Sequence, residues 1–231
     1  MSLSDQLKRI PRRVWRLYTD LNSIIYRKYL EQRFPQFMAY HEQINEIRNE
    51  ILPYYEQYIS SISNAIMALS LDLSILILFL CNMQKPKRIL DLGSGFSSFL
   101  FNYYSTRVNP KPLIWSVDDN PEWLVKTDKF LKSYNLKPDN LISWEDFSKN
   151  KYEQFDLVLH DLGSMQLRQE TLTNIIPLVN HEGILILDDM HLIPYGPFAR
   201  KVVKNLGLEY YNLKYYTKDK FNRFAYLVVG Q

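Results

Sequence analysis

The sequence predicts an α/β fold: a seven-stranded, mostly parallel sheet with an antiparallel last strand, preceded by a helical extension. Three observations predict it. First, the pattern changes near residue 85. No glycine precedes Gly93 and the earlier chain reads as helix, whereas afterwards short apolar runs alternate with helical segments. Second, runs such as "ILIL" at 184–187 are apolar without alternation, as in strands covered on both faces of a parallel sheet. Third, only "YYTKDKFNR" separates the last two strand-like runs, too little chain for a crossover helix, so they are expected to pair as an antiparallel hairpin.

The extension comes first. Leu3, Leu7, Ile10, Val14, Leu17, Leu21 and Ile24 recur at alternating steps of four and three, the seam of a helix that Pro11 starts or kinks. Further helices are expected after Pro35 and after Pro53. The stretch at 65–83, "AIMALSLDLSILILFLCNM", is about long enough to cross a bilayer, but Asp72 sits inside it and a strand follows at once. A buried helix covering the sheet is therefore expected, and no transmembrane span. Strands are expected at Arg88–Leu92, Leu113–Val117, Leu141–Ser143, Phe155–His160, Gly183–Leu187, Leu208–Lys214 and Phe224–Val229. This divides the chain into a helical cap, residues 1–61, and an α/β domain, residues 62–231.

Composition narrows the class. With 46% hydrophobic residues in 231, the chain can bury a large core and is not disordered. The single cysteine, Cys81, excludes an internal disulfide and suits a reducing, cytoplasmic compartment. No basic-then-apolar leader opens the sequence, so secretion is not expected. A net charge of +3 gives no reason to expect a nucleic-acid partner.

The first strand breaks into a glycine turn, "RILDLGSGFSS" at 88–98, with a helix expected behind it. Ligands in parallel sheets sit beyond the carboxyl ends of the strands, and glycines let backbone approach them closely. Asp91 before the turn repels a pyrophosphate but suits a cationic amino group. In "LIWSVDDNPEWL" the second strand ends in Asp118, followed by Asp119, where an acid grips ribose hydroxyls. In "LISWEDF" the third strand ends in Glu145, Asp146 and Phe147, able to accept from an adenine amino group and cover its ring. A cation, a ribose and an adenine together describe S-adenosylmethionine. Asp91, Asp118 and Asp119 would also serve as helix caps without any ligand.

On these residues the chain resembles the class I S-adenosylmethionine-dependent methyltransferases, which have a Rossmann-like sheet. The family's loop reads acid-x-Gly-x-Gly-x-Gly, and here "DLGSGFS" puts Ser97 at the third glycine. The resemblance implies that Asp91 and the turn of Gly93, Ser94 and Gly95 hold the methionine part, Asp118 the ribose and Asp146 the adenine amino group.

The acceptor site is expected at the ends of the fourth and fifth strands, "FDLVLHDLGS" and "GILILDDMH", which supply His160, Asp161, Asp188, Asp189 and His191. Asp161, His160 and His191 are the catalytic candidates, with His160 also beside the cofactor. Carboxylates suit a hard cation such as magnesium, which lowers the pKa of a bound hydroxyl. The pattern resembles metal-dependent O-methyltransferases. Asp161 and Asp189 match ligand positions of the catechol type, with Met190 where those carry Asn, whereas the pair Asp188–Asp189 fits the macrolide-sugar and cephalosporin types better. Asp161, Asp188 and Asp189 are thus the metal candidates. Asp188 and Asp189 share a target only if the strand has already ended, since successive strand residues face opposite ways.

Met67 and Ser70 lie where related enzymes cover the cofactor. Lys8, Arg9, Arg12, Arg13 and Arg16 give the first helix a basic face beside its seam, suited to solvent or to a second subunit. The expected activity is O-methylation of a small hydroxylated metabolite, with magnesium as an optional aid and a homodimer through the N-terminal helices as an option. The alternatives are methylation of a peptide or protein side chain, a nicotinamide oxidoreductase, and a non-catalytic binding module.

Overall fold

The structure, a computed structural model, describes residues 11–230. The seam residues Leu3, Leu7 and Ile10 and the basic residues Lys8 and Arg9 lie outside them. Helix α1 (Arg12–Arg33) starts directly behind Pro11, where a missing N–H costs nothing. A 3₁₀ turn at Pro35–Ala39 leads to α2 (Tyr40–Ser61). The second helix runs through Pro53 rather than starting after it. Pro53 is on the exposed face, and Ile47, Ile51, Tyr55 and Tyr58 bury the other face on both sides of it. Helix α3 (Leu71–Gln84) is capped by Ser70 Oγ, which accepts from Leu73 N, and every residue from 73 to 81 is buried. Asp72 pairs with Arg48 at 3.0 Å. Among the described residues no helix is long and apolar enough to cross a membrane.

Strands and helices then alternate: β1 (Arg88–Leu92), α4 (Phe96–Ser105), β2 (Leu113–Asp118), α5 (Pro121–Ser133), β3 (Asn140–Ser143) and α6 (Trp144–Ser148). They continue with β4 (Phe155–His160), α7 (Met165–Ile175), β5 (Val179–Leu187), α8 (Tyr195–Asn205), β6 (Tyr210–Asn212), α9 (Lys214–Thr217) and β7 (Tyr226–Val229). The sheet order is β3-β2-β1-β4-β5-β7-β6, with β7 antiparallel to both neighbours. The expected strand Leu208–Lys214 shrinks to three residues, because Lys214 opens the one-turn helix α9.

Continuous apolar runs mean two covered faces, and alternation assigns each residue to one. Ile89, Leu157, Leu159, Ile184 and Ile186 join the core under α2 and α3, while Leu90, Leu92, Val158, Leu185 and Leu187 join the core under α7 and α8. Leu30, Phe37, Tyr40 and Ile51 belong to the first of these cores, so the extension shares its apolar interior with the sheet.

The seam of α1 does not pack inward. Val14, Leu17, Leu21 and Ile24 are 54–71% exposed. The inward face is Trp15, Thr19, Ser23 and Leu30, because much of what it meets is polar. Trp15 Nε1 donates to Met190 O (2.8 Å), Asn212 Nδ2 to Thr19 O (2.9 Å), and the buried Lys214 Nζ to Thr19 Oγ1 (3.0 Å). Arg12, Arg13 and Arg16 are exposed.

Candidate active site

The strand register builds the site. Leu92 pairs with His160 and His160 with Leu187. The next residue on each strand, Gly93, Asp161 and Asp188, therefore stands in one row at the carboxyl edge. This edge includes the gap between β1 and β4, where the strand order reverses and α/β sheets take their ligands. A cavity of about 350 Å³ opens there. Of the residues expected from sequence, Gly93, Ser94, Gly95, Ser97, Asp118, Asp161, Asp188 and Asp189 line it.

The glycine turn is tightly held. Gly93 has φ +102°, and a Cβ there would stand 2.4 Å from Asp161 O. A Cβ on Gly95 would stand 2.7 Å from Tyr58 Oη. Asp118 Oδ2 accepts from Ser94 N (2.7 Å) and Ser94 Oγ (3.0 Å), and its Oδ1 accepts from Asn120 N (2.9 Å). Burial pushes the Asp118 pKa up against these bonds. Ser97 Oγ donates to Gly93 O at 3.2 Å. Asp91 lies fully buried beneath the turn. Its Oδ2 accepts from Ser98 Oγ (2.5 Å) and Ser116 Oγ (3.1 Å), but its Oδ1 has no donor among the described residues. Burial lifts its pKa to about 7, the serine bonds opposing.

At the other end β5 stops at Leu187, and Asp189 takes a left-handed φ of +56°. Asp188 and Asp189 therefore both reach the cavity, free of strand alternation. Arg168 of α7 enters between the acids: Nη2 lies 2.5 Å from Asp161 Oδ1, Nη1 donates to Asp189 Oδ2 (3.0 Å), and Nε donates to Leu162 O (3.1 Å). Burial opposes its charge, but Asp161 and Asp189 outweigh burial and hold its pKa above the ordinary value. The Asp161 pKa rises to about 6, through burial opposed by Arg168. The Asp188 pKa is raised by burial and then by Asp189, whose N–H donates to Asp188 Oδ1 (2.6 Å).

This corrects the expected metal site at Asp161, Asp188 and Asp189. A hard cation needs several oxygens with free lone pairs converging on one point. Here a guanidinium takes one oxygen each of Asp161 and Asp189. Among the described residues, no three His, Cys, Asp or Glu side chains are grouped to hold a metal ion. The residues present do not fit magnesium.

Other expectations are corrected as well. His160 is fully buried between Tyr195 Oη (3.2 Å) and Thr171 Oγ1 (3.1 Å), with its pKa pushed down to about 3 by burial and then by Arg168, so it touches neither cofactor nor acceptor space. His191 lies beside Asp189 (Nδ1–Oδ1 3.5 Å) but not on the cavity wall. Asp119 is exposed, its carboxylate against Gly163 rather than the cavity. Glu145 and Asp146 are exposed partners of Lys149, Asp146 also accepting from Ser143 Oγ (2.7 Å). Phe147 stacks on Tyr152 with ring centroids 4.2 Å apart, not over the site. The reason is local: β3 ends at Ser143, which caps α6 and turns these three residues away. Met67 lines the cavity, whereas Ser70 is the α3 cap.

Several cavity residues carried no expectation. Tyr58 comes from α2, and Trp123 Nε1 donates to Ser94 O at 2.5 Å. Trp123 was open to inference, since "NPEW" places it on the first helical turn after Asn120, the cap beside Asp118. Arg223 is tied to Asp219 (2.7 Å) and donates to the carbonyls of Ala65 (2.9 Å), Ile66 (2.6 Å) and Ala68 (2.8 Å). It thereby ties down the segment whose residues 66–69 line the cavity. Nothing local marks Arg168 or Arg223, since a lone arginine in a helix or hairpin loop reads as solvated.

Several solved structures are similar to this chain in fold. An SAH-bound methyltransferase from Podospora anserina matches with a TM-score of 0.60 at 19% identity, covering 78% of this chain and 88% of its own. An O-methyltransferase from Bacillus cereus in complex with SAH matches at 0.58 and 10% identity, covering 92% and 100%. The O-methyltransferase TomG from Streptomyces achromogenes, involved in tomaymycin synthesis and solved with SAM, matches at 0.55 and 13%, covering 76% and 87%. The fold is that of the S-adenosylmethionine-dependent methyltransferases. No family model matches the sequence, and no curated protein matches it either. The methyltransferase fold accounts for the β7 insertion between β5 and β6.

The site also fits the cofactor that the fold implies. Asp91 lies beneath the turn and off the cavity wall, and its Oδ1 is a buried acceptor without a donor among the described residues, the kind of partner an ammonium group takes. Asp118 lines the cavity, and its Oδ1 accepts from Asn120 N with a lone pair left for a ribose hydroxyl.

Proposed function

We propose that this protein is an S-adenosylmethionine-dependent O-methyltransferase acting on a small hydroxylated acceptor in the cytoplasm. The observation that carries the reading is one cavity lined both by the glycine turn, Asp118 and Trp123 and by Arg168, Asp188, Asp189 and the apolar residues Ile66, Met67 and Leu69. S-adenosylmethionine supplies a methyl group on cationic sulfur. The chain's own work is to align and to exclude water. The turn and Asp118 fix the nucleoside half, the orphaned oxygen of Asp91 meets the ammonium, and the segment held by Arg223 closes the acceptor end. The O-methyltransferase neighbours favour oxygen as the nucleophile, and the walled cavity favours a small acceptor over a peptide.

Calorimetric titration with S-adenosylmethionine, S-adenosylhomocysteine and NAD tests the reading; binding of the first two alone is the expected result. Asp118→Ala is expected to weaken both by at least tenfold, about 1.4 kcal/mol, with the fold intact by circular dichroism. Affinity equal to the wild type would remove Asp118 from the cofactor site.

The exposed seam of α1 belongs to the same proposal. Val14, Leu17, Leu21 and Ile24 keep the 3.5-residue spacing of a two-helix seam, so the occupant we assign is the α1 of a second copy. Sedimentation velocity is expected to give a dimer that Leu17→Glu with Leu21→Glu converts to monomer. A wild-type monomer at micromolar concentration would refute the assignment.

A further inference from the structure

The acids expected to hold a metal have a cation already, and it is covalently part of the chain. Arg168 reaches them because Ser164 caps α7 directly after the β4 loop, and Arg168 N donates to Ser164 O at 3.0 Å. That places its side chain one turn into the helix and underneath Leu162. The side chain is only 7% exposed, yet it lines the cavity. Three of the five guanidinium N–H groups are used by Leu162 O, Asp161 and Asp189. Among the described residues, one N–H on each of Nη1 and Nη2 is left without an acceptor, and the two carboxylates hold the guanidinium in place.

We propose that Arg168 is the resident cation of the acceptor end, taking the place of a divalent metal, and that its two remaining N–H groups hold the acceptor oxygen. Resting on the methyltransferase reading for the identity of the acceptor, the proposal makes its metal claim independently of it. A guanidinium is planar, permanently charged and weakly hydrated, so it suits a buried position between two carboxylates. It donates to an oxygen and steadies negative charge there, as a bound metal would, but it neither exchanges with solvent nor requires two oxygens of one acceptor to chelate it. An acceptor with a single hydroxyl is therefore sufficient. Asp161 and Asp189 act as positioning residues, holding the guanidinium of Arg168 in place.

The test uses Mn2+ alone as the probe, its free ion counted by electron paramagnetic resonance. Wild-type protein is expected to leave the free Mn2+ signal unchanged at millimolar metal. Arg168→Met uncovers Asp161, Asp188 and Asp189 and is expected to gain Mn2+ binding at least tenfold above the wild type, and Asp189→Asn in the same chain to abolish the gain. Arg168→Lys keeps a charge in place and guards against a Met variant that fails to fold; it is expected to remain without Mn2+. Stoichiometric Mn2+ capture by the wild type, lost in Asp189→Asn, would overturn the proposal, as would a folded Arg168→Met that captures none. S-adenosylhomocysteine affinity, measured on the same samples, is expected to be unchanged in Arg168→Lys. Its absence in the wild type would strike the methyltransferase reading and leave the Mn2+ result standing.

Discussion

Asp91→Asn is expected to raise the melting temperature of the ligand-free protein at pH 8 and, in the same protein, to weaken S-adenosylmethionine binding by at least tenfold. The two effects share one cause. Asp91 is fully buried and its Oδ1 has no donor among the described residues, so its carboxylate is ionised at a cost that burial imposes. Its folded pKa of about 7 lies above the ordinary 3.8, so the folded state binds the proton more tightly than the unfolded state. The sign follows: stability is lowest above pH 7 and rises as pH falls from about 7 towards 4. The difference in pKa corresponds to roughly 4 kcal/mol, an upper figure because the asparagine amide still lacks an acceptor. A gain of even 1 kcal/mol moves the midpoint by about 2–4 °C in a domain of this size. Calorimetric scans at pH 8 and pH 6 are expected to show the wild type melting higher at pH 6 by a larger margin than the variant, in which the raised pKa values of Asp161 and Asp188 keep their own share of the response. Binding runs the other way. An ammonium beside Asp91 favours the carboxylate, so wild-type affinity is expected to weaken below pH 7 and the variant's to be low and flat. A variant that melts lower at pH 8, with the wild type's pH response, would show that Asp91 is structural.

The same residue shows what was legible in the sequence. Burial on both faces can be read from the run "RILDL" because apolar neighbours at successive positions leave no solvated side, and the sheet puts Ile89 and Leu90 in opposite cores. The glycine turn, Asp118 and the acids after β4 and β5 were legible for a related reason. Strand ends in a parallel sheet fall in one row, so residues just past an apolar run meet whatever their separation in sequence. What failed depended on a single turn or on distant partners. Glu145, Asp146 and Phe147 look like the end of a strand, but Ser143 caps a helix that carries all three away from the cavity. His160 lies one position before Asp161, and alternation sends it between Thr171 and Tyr195. The metal expectation failed on Arg168, seven residues beyond Asp161 and without any local sign of its two partners. The inward face of α1 is chosen by Met190, Asn212 and Lys214, more than 170 positions away.

Gly93→Ala is expected to remove cofactor binding and to destabilise the fold by about 3 kcal/mol or more, a sum of backbone strain and displaced packing. At φ +102° an L side chain is strained before any contact is considered. The contact is worse: the new Cβ would stand 2.4 Å from Asp161 O and 2.7 Å from Asp161 C, which are backbone and cannot rotate away. Gly93 N donates to Val117 O (2.8 Å) and Asp161 N to Leu92 O (2.7 Å), so relief on one side breaks a tie between strand tips on the other. The tips of β1, β2 and β4 are the edge on which the cavity is built. Gly207→Ala supplies the comparison. Gly207 also has positive φ, +69°, but nothing stands within 4 Å of its Cβ position. It is expected to cost about 1 kcal/mol, the backbone part alone, and to leave S-adenosylmethionine affinity untouched. Urea unfolding and calorimetric titration of the two variants separate the contributions. Equal losses of stability, or Gly93→Ala binding the cofactor as the wild type does, would mean that β4 yields without disturbing the site and that the close approach at Gly93 is not what shapes it.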